Sequence, residues 1–127
     1  MDQSKILIVD DSPENIYVAA LVLDHYDTAS AASGQECLDM LEKSQYDLIL
    51  LDVMMPGLDG FETCRKIKNM QEYATVPVIF LTASTDAESI NRGFEAGGHD
   101  YIHKPFNAKE LQARVRNSIL IDRKSVV

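Results

Sequence analysis

The run Leu48-Ile49-Leu50-Leu51-Asp52, LILLD, decides how the rest of this chain is read. Four aliphatic residues in a row, with no polar break, fit a strand buried on both faces. Such a strand implies a parallel sheet with helices above and below it. Its closing aspartate sits where the strand ends. Three other runs close in the same way. KILIV (5–9) is followed by Asp10 and Asp11, VIFL (78–81) by Thr82, and YIH (101–103) by Lys104. If these runs are parallel strands, a carboxylate pair, a lone carboxylate, a hydroxyl and an ammonium meet at one edge of one sheet.

Working outward, the pattern predicts strands at 5–9, 28–31, 48–52, 77–82 and 101–103. The first, third and fourth are continuously apolar and belong in the centre. The second (Thr28, Ala29, Ser30, Ala31) is more polar and the fifth is short, so both suit edges. Helix starts are marked by caps. Ser12-Pro13 opens the first, with proline where no N–H is needed. Ser33 and Glu36, Asp59 and Glu62, Thr85 and Glu88, and Asn107 and Glu110 repeat the capping-box spacing or its Asp/Asn variant. Apolar residues then recur at helical spacing, as in Ile16, Ala19, Ala20, Leu23 and in Leu111, Val115, Ile119. The chain therefore reads as five βα units. Right-handed crossovers make this an α/β, doubly wound, five-stranded parallel sheet of flavodoxin-like type, in the order 2-1-3-4-5. Ligands of such sheets bind at the carboxyl ends of the strands, beside the switch point between strands 1 and 3. Asp10, Asp11 and Asp52 fall there.

The 127 residues, 46% of them hydrophobic and 25% charged, are expected to form a single globular domain, 1–127. A net charge of −8 argues against direct nucleic-acid binding by this domain. No apolar run approaches the length of a membrane span. The start, MDQSK, lacks the features of a signal peptide, so a cytoplasmic location is expected. Cys37 and Cys64 fit no metal-ligand spacing and are expected to pack as small hydrophobes.

Three carboxylates at one point repel one another. Two charges 4 Å apart repel by roughly 4 kcal/mol at an effective dielectric near 20. A divalent cation resolves the conflict, and an all-oxygen set without His or Cys favours Mg²⁺ or Mn²⁺. Asp52, alone at the tip of a buried strand, suits a nucleophile that forms an acyl phosphate. Catalysis of such a transfer is positioning and charge stabilisation, which the metal, Lys104 and Thr82 would supply. An isolated aspartate at a strand end is more often a helix cap. Five converging groups reverse that preference.

These residues carry a family resemblance. ILIVDDSPEN, DLILLDVMMPGLDGFE, PVIFLTA and GGHDYIHKPF closely resemble the receiver domain of two-component response regulators, of the chemotaxis-regulator kind, over essentially the whole chain. The resemblance implies that Asp52 accepts phosphate from a histidine kinase or histidine phosphotransfer protein. Asp10, Asp11, Asp52 and the backbone carbonyl of Met54 would bind Mg²⁺, and Lys104 would contact the phosphoryl group. Thr82 and Tyr101 would form a switch in which the hydroxyl moves toward the phosphoryl oxygen and the ring fills the vacated space. That motion would alter the face of the fourth helix, fifth strand and fifth helix, and through it a downstream effector. A cis bond before Pro105 would help aim Lys104.

The chain departs from the commonest family pattern at Met54 and Ser84, which flank the route of water to the acyl phosphate. His99 and His103 are expected as filler, with His103 pointing away from Lys104, and His25 is expected to end the first helix. Asp100, Glu110 and Arg114 are candidates for ion pairs across a homodimer of that same face. The competing reading is solvated surface charge. No separate substrate turnover is expected. A haloacid-dehalogenase-like phosphatase would need an acid where Met54 stands, and a nucleotide-binding flavodoxin-like domain would need a Gly-rich loop after the first strand. The alternatives are a phosphorylation-independent interaction module of the same fold, or a receiver cut from a larger cyclic-dinucleotide enzyme or hybrid kinase. Met1 would place the receiver first in any longer parent.

Overall fold

In the computed structural model, residues 4–83 and 87–125 are described. One parallel sheet contains β1 (Lys5–Val9), β2 (Asp27–Ala31), β3 (Leu48–Asp52), β4 (Val78–Thr82) and β5 (Asp100–His103). Their order is β2-β1-β3-β4-β5. Between and after them run α1 (Pro13–Val22), α2 (Gly34–Lys43), α3 (Gly60–Lys68), α4 (Ala87–Glu95) and α5 (Ala108–Ser125). This is the doubly wound, flavodoxin-like α/β arrangement expected from the apolar runs. β2 and β5 begin one residue earlier than expected and β4 one later. Pro77 has no N–H for the ladder, yet its carbonyl still accepts the Ile49 amide at 3.1 Å.

The central strands bury both faces because alternate residues feed two separate cores. Leu7, Val9, Ile49, Leu51, Val78 and Phe80 pack with Cys37 and Leu41 of α2 and Phe61, Cys64 and Ile67 of α3. Ile6, Ile8, Leu48, Leu50, Ile79, Leu81 and Ile102 pack with Ala19 of α1 and Leu111, Val115 and Ile119 of α5. Each large aliphatic side chain so buried contributes about 1.5–3 kcal/mol. Both cysteines are free and buried. Burial pushes the Cys37 thiol up to about 12 and the Cys64 thiol up to about 11, so they pack as apolar groups.

The caps form largely as the spacing implies. Ser12 accepts the Asn15 amide, Ser33 that of Glu36, and Asp59 that of Glu62. Asn107 accepts from both Lys109 and Glu110. The Glu36 carboxylate reaches back to the Ala32 amide, one residue before the cap. Thr85 and Ser84 lie outside the described residues. α1 stops at Val22 with Leu23 as its C-cap, so His25 lies beyond the helix, on the surface beside Asp24. The turn after Asp52 depends on two glycines. Gly57 has φ +77°, and at Gly60 a β-carbon would stand 2.3 Å from the Asp52 carbonyl oxygen.

Candidate functional site

β1 and β3 pair in register with Val9 opposite Leu51, so Asp10 and Asp52 emerge side by side from the sheet edge. Lys104 follows β5, and its amide donates to the Thr82 carbonyl at 2.8 Å, which extends the β4–β5 ladder to the same edge. Its side chain crosses back over the sheet. The ammonium donates to Asp10 Oδ2 at 2.9 Å and to Asp52 Oδ1 at 3.1 Å. Asp10 is fully buried and Asp52 is 4% exposed. Asp11 faces solvent, and the three carboxylates each offer an oxygen within 4.8 Å of the others.

Backbone and side-chain donors complete the cradle. The Ser12 amide donates to Asp10 Oδ1 at 2.9 Å, Asn15 Nδ2 to Asp10 Oδ2 at 3.3 Å, and the Met54 amide to Asp52 Oδ1 at 3.3 Å. The sequence reading missed Asn15. Its signal was present, because a residue in the first turn of α1 comes back over the strand that precedes it. The Met54 side chain is 75% exposed, so it forms no lid over Asp52.

Burial pushes the Asp52 carboxyl above its ordinary value. The Lys104 hydrogen bond pulls it down, and the Asp10 charge pushes it up. Burial alone would lower Lys104, but hydrogen bonds and charges from Asp10 and Asp52 outweigh it and hold the ammonium above its ordinary value. The result is one cation held between two buried carboxylates, with a third carboxylate at the mouth. An all-oxygen donor set of this size and charge fits a hard divalent cation such as Mg²⁺ or Mn²⁺, and fits zinc poorly.

Thr82 and Tyr101 belong to the other face. Thr82 is buried at the tip of β4, one residue beyond the Leu81 that pairs with Asp52. It follows Phe80 by two residues and so shares that residue's side of the sheet. There it lines a cavity of about 270 Å³ with Ile90, Phe94, Tyr101 and His103. The Tyr101 ring lies 5.9 Å from the Phe80 ring and 5.6 Å from the Phe94 ring, and its hydroxyl donates to the Ser89 carbonyl at 2.6 Å. The Lys104–Pro105 bond is cis. His103 is exposed, with a ring nitrogen 3.2 Å from the Ala83 carbonyl. His99 is also exposed. Arg114 grips Asp100 with two contacts of 2.8 and 2.9 Å and reaches Glu110 at 3.4 Å, all within one chain.

Residues 6–116 match the response regulator receiver domain family. The transcriptional regulatory protein YvrH of Bacillus subtilis is 43% identical over 120 residues, 91% of this chain and 49% of that protein. A Vibrio cholerae protein named "Probable cyclic di-GMP phosphodiesterase" is 38% identical over 94% of this chain and 27% of its own length. The chain thus spans about half, or less, of these curated relatives. Among solved structures, the Vibrio cholerae chemotaxis response regulator CheY4 aligns with a TM-score of 0.88 and 30% identity, covering 92% of this chain and 99% of that one. This chain belongs to the response regulator receiver family of two-component signalling. Among the described residues, no helix is long and apolar enough to cross a membrane.

Proposed function

We propose that this receiver domain is a phosphorylation-controlled switch whose acceptor is Asp52. The observation that carries the reading is the Lys104 ammonium held 2.9 and 3.1 Å from two buried carboxylates, with Asp11 beside them. In the proposed transfer, an Asp52 carboxylate oxygen attacks the phosphorus of a donor phosphohistidine. The new P–O bond forms as the P–N bond breaks, and the imidazole leaves with the bonding pair. The donor is a histidine kinase or a histidine phosphotransfer protein. Mg²⁺ held by Asp10, Asp11, Asp52 and the Met54 carbonyl would neutralise charge on the phosphoryl oxygens. Lys104 leaves its contact with Asp52 for a phosphoryl oxygen, and the Met54 amide helps orient Asp52. Thr82 donates its hydroxyl toward the new group. Tyr101 takes the space beside Thr82, and the surface of α4, β5 and α5 changes for a downstream effector.

Residues 1–127 are read as one receiver, without turnover of a separate substrate. A cytoplasmic setting fits two free, buried thiols. The test is intact mass after incubation with a small phosphodonor. The wild type is expected to gain one phosphoryl group with Mg²⁺ and none with a chelator. A folded, Mg²⁺-binding chain that gains nothing would favour the interaction-module reading.

Binding of the metal should also release protons. Asp52 titrates above its ordinary value, so near that pH part of the population carries a proton that the cation must displace. Apparent Mg²⁺ affinity should therefore rise as pH rises through the folded-state value. Calorimetric titrations in two buffers of different ionisation enthalpy should report net proton release at pH values above the ordinary carboxylate range. No release would mean that Asp52 is already fully ionised. In the absence of the cation, the same raised value makes a stability contribution that is full at low pH, below the unfolded value. That contribution is lost as pH rises through the folded value.

A further inference from the structure

We infer that Gly93 sets the resting position of Tyr101 and, through it, how readily the α4–β5 face responds to phosphoryl binding at Asp52. This rests on the phosphoryl reading proposed above. Gly93 lies inside α4 and is buried. Positive φ is found, among the described residues, only at Gly57 and Gly97, so the backbone at 93 does not require glycine. Alanine is the better helix former at such a position. Space is what excludes it. A β-carbon at 93 would stand 2.7 Å from the Tyr101 hydroxyl and 3.1 Å from the edge of the Phe80 ring.

The hydroxyl uses that notch to reach the Ser89 carbonyl, one turn earlier on the same helix, at 2.6 Å. The same ring also lines the cavity of about 270 Å³ to which Thr82, Ile90 and Phe94 contribute. Tyr101 thus has two places, the notch against α4 and the cavity beside Thr82. The missing β-carbon keeps the first one open. A phosphoryl group that draws the Thr82 hydroxyl toward Asp52 favours the second place. By reciprocity, whatever closes the first place raises affinity at Asp52 for a phosphoryl mimic. Gly93 touches neither the metal ligands nor the acceptor, so it acts as a positioning residue.

The test is Gly93→Ala in the wild type and in a Tyr101→Phe background, with Mg²⁺-dependent beryllofluoride affinity and the NMR signals of the ring at 101 as readouts. Phe80 must yield a few tenths of an ångström in both backgrounds, so the double-mutant comparison removes that contribution. Gly93→Ala is expected to displace the Tyr101 ring signals and tighten beryllofluoride binding about fivefold, at the low end of ordinary coupling. In the Tyr101→Phe background it should change affinity less than twofold. Equal changes in both backgrounds, or no ring displacement in the first, would overturn the inference. If Gly93→Ala folds only in the Tyr101→Phe background, that rescue supports the contact. A wild type that binds no beryllofluoride would sink the phosphoryl reading and the coupling with it. The ring signals would then still decide whether Gly93 positions Tyr101.

Discussion

Asp52→Ala is expected to gain no phosphoryl group from a small donor under Mg²⁺ conditions in which the wild type gains one. Asp52 is the carboxylate that stands at the tip of a central strand, with Lys104 at 3.1 Å and the Met54 amide at 3.3 Å. Asp10 is fully buried behind it, with its oxygens committed to Ser12, Asn15 and Lys104. Asp11 lies at the surface, without the Lys104 contact that Asp52 and Asp10 share. Neither is placed to take over as nucleophile. The substitution should not unfold the chain, because Lys104 keeps Asp10 at 2.9 Å and one of two facing carboxylates is removed. Without Mg²⁺, a melting temperature at or above that of the wild type is expected. Intact mass and thermal melting check both halves. A variant that gains a phosphoryl group as fast as the wild type would place the acceptor elsewhere.

Lys104→Met should have the next largest effect, and it separates structure from chemistry. The Lys104 side chain is 18% exposed, while the Asp10 and Asp52 side chains it joins are 1% and 5% exposed. Removing one partner of a fully buried ion pair costs about 3–5 kcal/mol. Partial exposure of Lys104, and the freedom of Asp52 to hold its proton, reduce the expected loss to roughly 1–3 kcal/mol in the presence of a chelator. Mg²⁺ should restore part of it, since a second cation then stands between the carboxylates. Phosphoryl transfer to Asp52 and its hydrolysis should both slow on the order of 10²-fold, the usual cost of one lost electrostatic stabiliser. Chemical denaturation with and without Mg²⁺, and time-resolved mass measurements, report the two effects separately. Unchanged stability in chelator would show that the Lys104 bridge does little in the resting state.

The parts legible in advance share one property, that their signal is local. β1 and β3 were bounded to the residue because an aliphatic run that must be buried on both faces stops where a charge begins. Ser33, Asp59 and Asn107 marked helix starts because a cap is a contact between residues two or three apart. What escaped depends on partners that composition does not name. A short 3₁₀ turn, Gln71–Tyr73, ends in a fully buried tyrosine whose hydroxyl donates to Ser44, 29 residues away. The Arg114 guanidinium likewise closes on Asp100, 14 residues back on β5. His25 was read as a helix end, but the helix stops three residues sooner.

Local pattern alone carried the five βα units, the central and edge strands, and the expectation that Asp10, Asp11, Asp52, Thr82 and Lys104 meet at one sheet edge. Periodicity and burial leave a parallel sheet few alternatives, and strand ends carry their side chains with them. Folding of distant segments onto one another is what sets Lys104 between the two buried carboxylates, Asn15 against Asp10, and Thr82 and Tyr101 along one cavity beside β5. It also decided that the Tyr101 hydroxyl occupies the notch left at Gly93. These are matters of reach and packing between side chains far apart in the chain, and hydrophobic pattern carries no information about them.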